Sequence, residues 1–117
     1  MYRKVSVESA SPARILDELY ARALLEIDDG AECLARRDLA GKGRAFTCAL
    51  AIIDELRCSL DAAIAPEICL NLERLYLFAR ERIVAASINL DGAPLDEARA
   101  VLVTLREAFA AAARAAR

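Results

Sequence analysis

Helix breakers are scarce in this chain, and those it has stand near the ends of apolar-periodic segments. Three prolines and four glycines serve 117 residues. Pro12 follows Ser11, Pro66 closes the stretch Asp61 to Ala65, and Pro94 follows Asp91, Gly92 and Ala93. Proline costs nothing at the first helical position, where its missing N–H has no intrahelical acceptor, and a serine before it can cap an orphan N–H. Gly41 and Gly43 place a turn, or a weak first helical turn, between Asp38 and Gly43. Punctuation this sparse predicts a few long helices and argues against an all-β or α/β design.

The apolar residues between these breaks recur at three and four, as a buried helical stripe requires. Helix one is predicted from Pro12 to about Arg37, through Leu16, Leu19, Tyr20, Ala23, Ile27, Ala31 and Leu34. Helix two runs to about Leu60 with Ala45, Ala49, Ile52, Ile53, Leu56 and Leu60, and helix three carries Ile68, Leu72, Leu75, Tyr76, Ala79, Ile83, Ala86 and Leu90. Helix four is predicted from Leu95 to about Ala113 through Ala98, Leu102, Leu105 and Phe109, with its alanine-rich end frayed. The hydrophobic fraction of 57% includes 26 alanines, so these helices should pack closely over a modest core. Glu18 with Arg22 and Glu32 with Arg36 are predicted as outward i,i+4 pairs. Short connections between long helices give the expected fold: all-α, an antiparallel up-down-up-down four-helix bundle over residues 11–117, preceded by an N-terminal arm at residues 1–10.

Chemistry is thin. The chain has no histidine, so neither a zinc site built on its four cysteines nor a di-iron bundle with Glu-x-x-His motifs is available. Cys33, Cys48, Cys58 and Cys69 form no Cys-x-x-Cys pair and are read as small buried hydrophobes. Asp28-Asp29 and Asp54-Glu55 point to different azimuths of a helix and make no working dyad. Gly41 and Gly43 precede no phosphate-loop Gly-Lys-Ser or Gly-Lys-Thr. No enzyme activity and no cofactor are expected. A net charge of −2 with both signs interspersed gives no footprint for nucleic acid. With no membrane-length apolar run and no signal-like start, the chain is expected in the cytosol.

Surplus apolar residues carry more information. Ile15 and Leu25 lie outside the main stripe of helix one, and Leu70, Leu77 and Phe78 outside that of helix three. They can broaden the core stripe, form a homodimer face, or line a groove for a partner helix anchored at i, i+3, i+4 and i+7. Two Leu-Tyr steps, Leu19-Tyr20 and Leu75-Tyr76, add amphipathic rings that suit either a bundle edge or a partner surface.

Ser11-Pro12, Leu19-Tyr20, the run Ile52-Ile53-Asp54-Glu55-Leu56 with Leu60-Asp61, Asn71-Leu72-Glu73-Arg74-Leu75-Tyr76 and Leu105-Arg106 before Phe109 occur in an order and spacing that resembles the flagellin-specific export chaperones called FliS. The resemblance implies a bacterial cytosolic bundle that binds the C-terminal segment of flagellin, prevents its early polymerisation and helps deliver it to the flagellar type III export apparatus. It also implies that Tyr2 belongs to an arm covering part of the apolar surface until flagellin arrives; Val5, apolar in the same arm, is counted with Tyr2 among the partner-binding residues. Asn71, Leu72, Leu75 and Tyr76 would then contact the partner, while Tyr20, Ile52, Ile53 and Leu56 serve the core. Asn71 could equally satisfy a client helix end or an internal group. The chain departs from the family pattern at Ala21-Arg22, where Asp-Gly is common, at Asp61 to Ala65, where two glycines are common, and at Phe109, where tryptophan is usual. The alternative is a self-associating bundle with no flagellin client.

Overall fold

The computed structural model describes residues 11–116. Tyr2, Val5 and the rest of the expected arm therefore lie outside the described residues. Four helices follow one another: α1 Pro12–Ala35, α2 Leu39–Cys58, α3 Pro66–Asn89 and α4 Ala93–Ala115. Among the described residues there is no strand, and the all-α expectation is met.

Local chemistry sets the ends. The Ser11 hydroxyl accepts from the Arg14 N–H at 3.1 Å, with Pro12 opening α1 as predicted. The Asp38 carboxylate accepts from the Gly41 N–H at 3.0 Å and so starts α2 earlier than the glycines suggested, placing Gly41 and Gly43 inside the helix. At the C-terminus of α1, the Asp38 N–H donates to the Cys33 carbonyl at 2.8 Å and the Arg37 N–H to Leu34 at 3.1 Å. This closure puts Arg37 at a φ of 60°, in the left-handed region. An L residue costs roughly 1–2 kcal/mol there. Arg37→Gly is accordingly expected to raise the unfolding free energy by about 1 kcal/mol, read from the urea midpoint at unchanged slope. The expected fraying beyond Phe109 is not found, since α4 stays helical to Ala115.

Side-chain pairs fix the topology. Asp17 near the start of α1 takes both arms of Arg106 near the end of α4, at 2.8 and 3.1 Å, while Asp28 further along α1 takes Arg99 at 2.9 and 3.1 Å. Arg80 of α3 forks onto Asp54 of α2 at 3.0 Å on both oxygens, and Lys42 reaches Ser87 at the other end of that helix pair. Arg82 of α3 meets Glu97 of α4 at 3.4 Å. Hydrogen bonds from Arg106 and Arg80 hold the Asp17 and Asp54 carboxyls below the usual carboxylate range. Such half-exposed pairs stabilise little, but their fork geometry fixes which residues sit level with one another. Each helix lies antiparallel to its two neighbours, in the ring α1–α2–α3–α4. On the outside of α1, Arg22 pairs with Glu26 instead of the expected Glu18, which takes Arg14. Glu26 is the less hydrated carboxylate of the two, so a cation gains more beside it. The predicted Glu32–Arg36 pair is present at 2.7 Å.

Every helix sends one i, i+3, i+7 stripe inward. Tyr20, Ala23, Leu24 and Ile27 meet Phe46, Ala49, Ile53 and Leu56, and on the other side Tyr76, Ala79, Ile83 and Ala86 meet Leu95, Ala98, Leu102 and Leu105. Phe46 and Leu24 were not in the predicted stripes, whereas Ile68 and Leu90, which were, are exposed. Phe46 is buried because its ring lies on Gly30 of α1, where no side chain competes for the space. None of the four cysteines is buried as expected: Cys33 and Cys69 are partly covered, Cys48 and Cys58 are exposed, and all four are free thiols.

Candidate partner-binding groove

Helix α3 carries three interleaved stripes, and the bundle buries only one of them. Tyr76, Ala79, Ile83 and Ala86 face the core. Ile68, Asn71, Leu75, Phe78 and Arg82 follow one another at alternating steps of three and four along the side nearest α4. On that side a cavity of about 230 Å³ opens between the helices, lined by Leu75 with Ala100, Val101, Thr104 and Leu105. Ile68 is 62% exposed, Leu75 39% and Phe78 41%, and Asn71 is also exposed. Small residues on the α4 wall let a partner backbone approach closely, while the Arg82–Glu97 pair stands further along the same seam. The result is an apolar trough on a helical surface, open along its length to an amphipathic segment.

Of the residues singled out for partner contact, Asn71 and Leu75 lie on this trough. Leu72 is partly buried and packs against the core from the α3 side. Tyr76 is elsewhere. It is 1% exposed, and its hydroxyl meets that of Tyr20 across the bundle diagonal at 2.5 Å. Burial raises both phenols above the ordinary tyrosine range, so the pair is neutral at any working pH. Tyr20 also lies beside Phe109, ring centroids 6.0 Å apart, so the three aromatic rings form one core element. A ring in that position offers a partner no surface. Tyr76 is thus a core residue, and the motif's exposed members are its polar and leucine neighbours.

A second, larger cavity of about 510 Å³ lies between the start of α1 and the end of α4, lined by Ser11, Leu16, Tyr20, Phe109 and Ala113 among others. Sequence reasoning did not single it out, because it forms only when the ends of the chain come together. No described helix is long and apolar enough to cross a membrane.

The sequence model of the family described as "Flagellar protein FliS" matches residues 1–116. The flagellar secretion chaperone FliS of Salmonella typhimurium is 32% identical over 113 residues, covering 92% of this chain and 84% of that protein. FliSB of Pseudomonas aeruginosa, also named a flagellar secretion chaperone, is 30% identical over 112 residues, with 92% and 89% covered. The Vibrio cholerae protein of the same name as the Salmonella one is 31% identical, with 92% and 82% covered. With a match of this extent and these relatives, the chain belongs to the FliS family of flagellar proteins.

Proposed function

We propose that this protein is a flagellar export chaperone that holds the C-terminal segment of flagellin as a helix in the α3/α4 trough, in the bacterial cytosol. The observation that carries this reading is Leu75, exposed beside the small-residue wall of α4, with Ile68 and Phe78 exposed on the same stripe of α3. A helix with apolar anchors at i, i+3, i+4 and i+7 fits such a trough, and covering it removes the exposed apolar surface from water. Asn71 at its edge offers hydrogen bonds where a bound helix ends. Holding the segment in this way blocks premature polymerisation and leaves the complex intact for the export apparatus. Tyr2 and Val5, which lie outside the described residues, are proposed as partner-binding residues of the N-terminal arm.

Binding orders a flexible client, so titration of a flagellin C-terminal peptide is expected to give a negative heat-capacity change with a gain in helicity. Absence of binding at tens of micromolar chaperone overturns the proposal. Leu75→Ala is expected to weaken the peptide about tenfold while leaving thermal unfolding nearly unchanged, because this side chain is partly exposed. An unaltered affinity would move the client to another surface.

A further inference from the structure

Guanidinium groups outnumber carboxylates around the cavity between the start of α1 and the end of α4. Its floor is apolar, built by Leu16, Tyr20, Phe109 and Ala113, while Arg14, Arg106 and Arg114 line it against a single carboxylate, that of Asp17. Asp17 is already held by both arms of Arg106, at 2.8 and 3.1 Å, so its charge is neutralised within the wall. Arg14 meets Glu18, which is not part of the lining, in an exposed pair at 3.3 Å that stabilises little and is readily exchanged. Among the described residues Arg114 forms no ion pair. A volume of about 510 Å³ is enough to enclose a small ligand or the end of a peptide. The cavity thus suits an apolar group that ends in an anion.

This cavity and the trough share α4. Leu105 lines the trough, and Arg106, the next residue, lines the cavity. A chain leaving the trough reaches the cavity by crossing α4 over Ala108 and Ala111, which are exposed and too small to obstruct it. Resting on the proposal that the trough holds the C-terminal segment of flagellin, we infer that the last residues of that segment enter the α1/α4 cavity, where Arg114 with Arg14 takes their terminal carboxylate. The C-terminal end is the one place where a peptide backbone itself carries a full negative charge, and a guanidinium fork matches its two oxygens. The overall field does not supply this attraction, because the chain's net charge is −2 and repels an anion at long range. Recognition comes from the local cluster of guanidiniums. The arm at residues 1–10 is the poorer match, since Arg3 and Lys4 against Glu8 would bring cations to a cationic mouth.

Calorimetric titration of the full-length chain with a flagellin C-terminal peptide, as the free acid and as the C-terminal amide, tests the assignment. The free acid is expected to bind about tenfold more tightly. Arg114→Ala is expected to remove most of this difference, and Arg14→Ala combined with it the rest, with the melting curve preserved because both side chains are exposed. Arg74→Ala takes away an exposed cation of α3 that lies outside the cavity and is expected to keep the difference in full. Leu75→Ala, in the trough, is expected to weaken both peptides by the same factor. Equal affinity of free acid and amide overturns the inference and leaves the trough as the client's seat. So does a difference that survives the loss of both Arg14 and Arg114. Failure of either peptide to bind at all overturns the reading of the trough, and this inference with it.

Discussion

Tyr76→Ala is expected to lower the unfolding free energy by about 3–5 kcal/mol, the range for deleting a fully buried aromatic ring. Two losses combine. The ring leaves a cavity among Tyr20 and the other core side chains, and the Tyr20 hydroxyl stays buried without the partner 2.5 Å away. Tyr76→Phe separates them: it keeps the ring and removes only the hydroxyl, for an expected loss of about 1–3 kcal/mol. Adding Tyr20→Phe to that variant removes the orphan and is expected to recover much of the loss, since two apolar rings of the same shape then meet. Urea unfolding of the three variants measures all of this. In each, flagellin-peptide affinity per folded molecule stays close to wild type. A stable Tyr76→Ala protein that no longer binds peptide would instead return this ring to the binding surface.

The sequence signalled four helices because Ser11-Pro12, Pro66 and Pro94 are chemical start signals that act locally, and because alanine and leucine at three-and-four spacing need no tertiary information. Which face of α3 turns inward was a different matter. Each of its three stripes is mostly apolar, so periodicity ranked Ile68 and Leu90 with Ile83 and Tyr76, and the family resemblance then made Tyr76 a surface candidate. Burial is decided instead by Tyr20, 56 residues away, whose hydroxyl gives Tyr76 a partner inside. Asn71 and Leu75 were legible as a motif through family resemblance, whereas the trough beside Leu75 depends on α4 residues that no local pattern joins to it. The Arg99–Asp28 pair spans 71 residues and illustrates the same limit: charge spacing reports i,i+4 neighbours and says nothing of cross-bundle ones. Even within one helix the choice between Glu18 and Glu26 for Arg22 followed burial, which spacing does not encode.

Gly30 marks the position where a residue's absence shapes the core most, and Gly30→Ala is expected to destabilise the bundle by about 1–3 kcal/mol despite alanine's better helix propensity. A Cβ at this site lands on Cε1 of Phe46, with Cδ1 at 2.6 Å and Cζ at 2.8 Å. The Phe46 ring is 2% exposed and cannot swing into solvent, so α1 and α2 must separate or the ring must leave its rotamer. Propensity opposes this with a gain of about 1 kcal/mol, which the clash exceeds. Gly43 supplies the control on the neighbouring helix. Nothing stands within 4 Å of a Cβ there, so Gly43→Ala is expected to stabilise by up to about 1 kcal/mol through propensity alone. Phe46→Leu loses ring contacts by itself, but in the Gly30→Ala background it also relieves the clash. The double variant is then expected to be more stable than the sum of the single losses by about 1 kcal/mol or more, as contacting residues require. Additive losses in the denaturation cycle would mean that the ring does not lie on Gly30 in solution, and that this close crossing of α1 and α2 is held by something else.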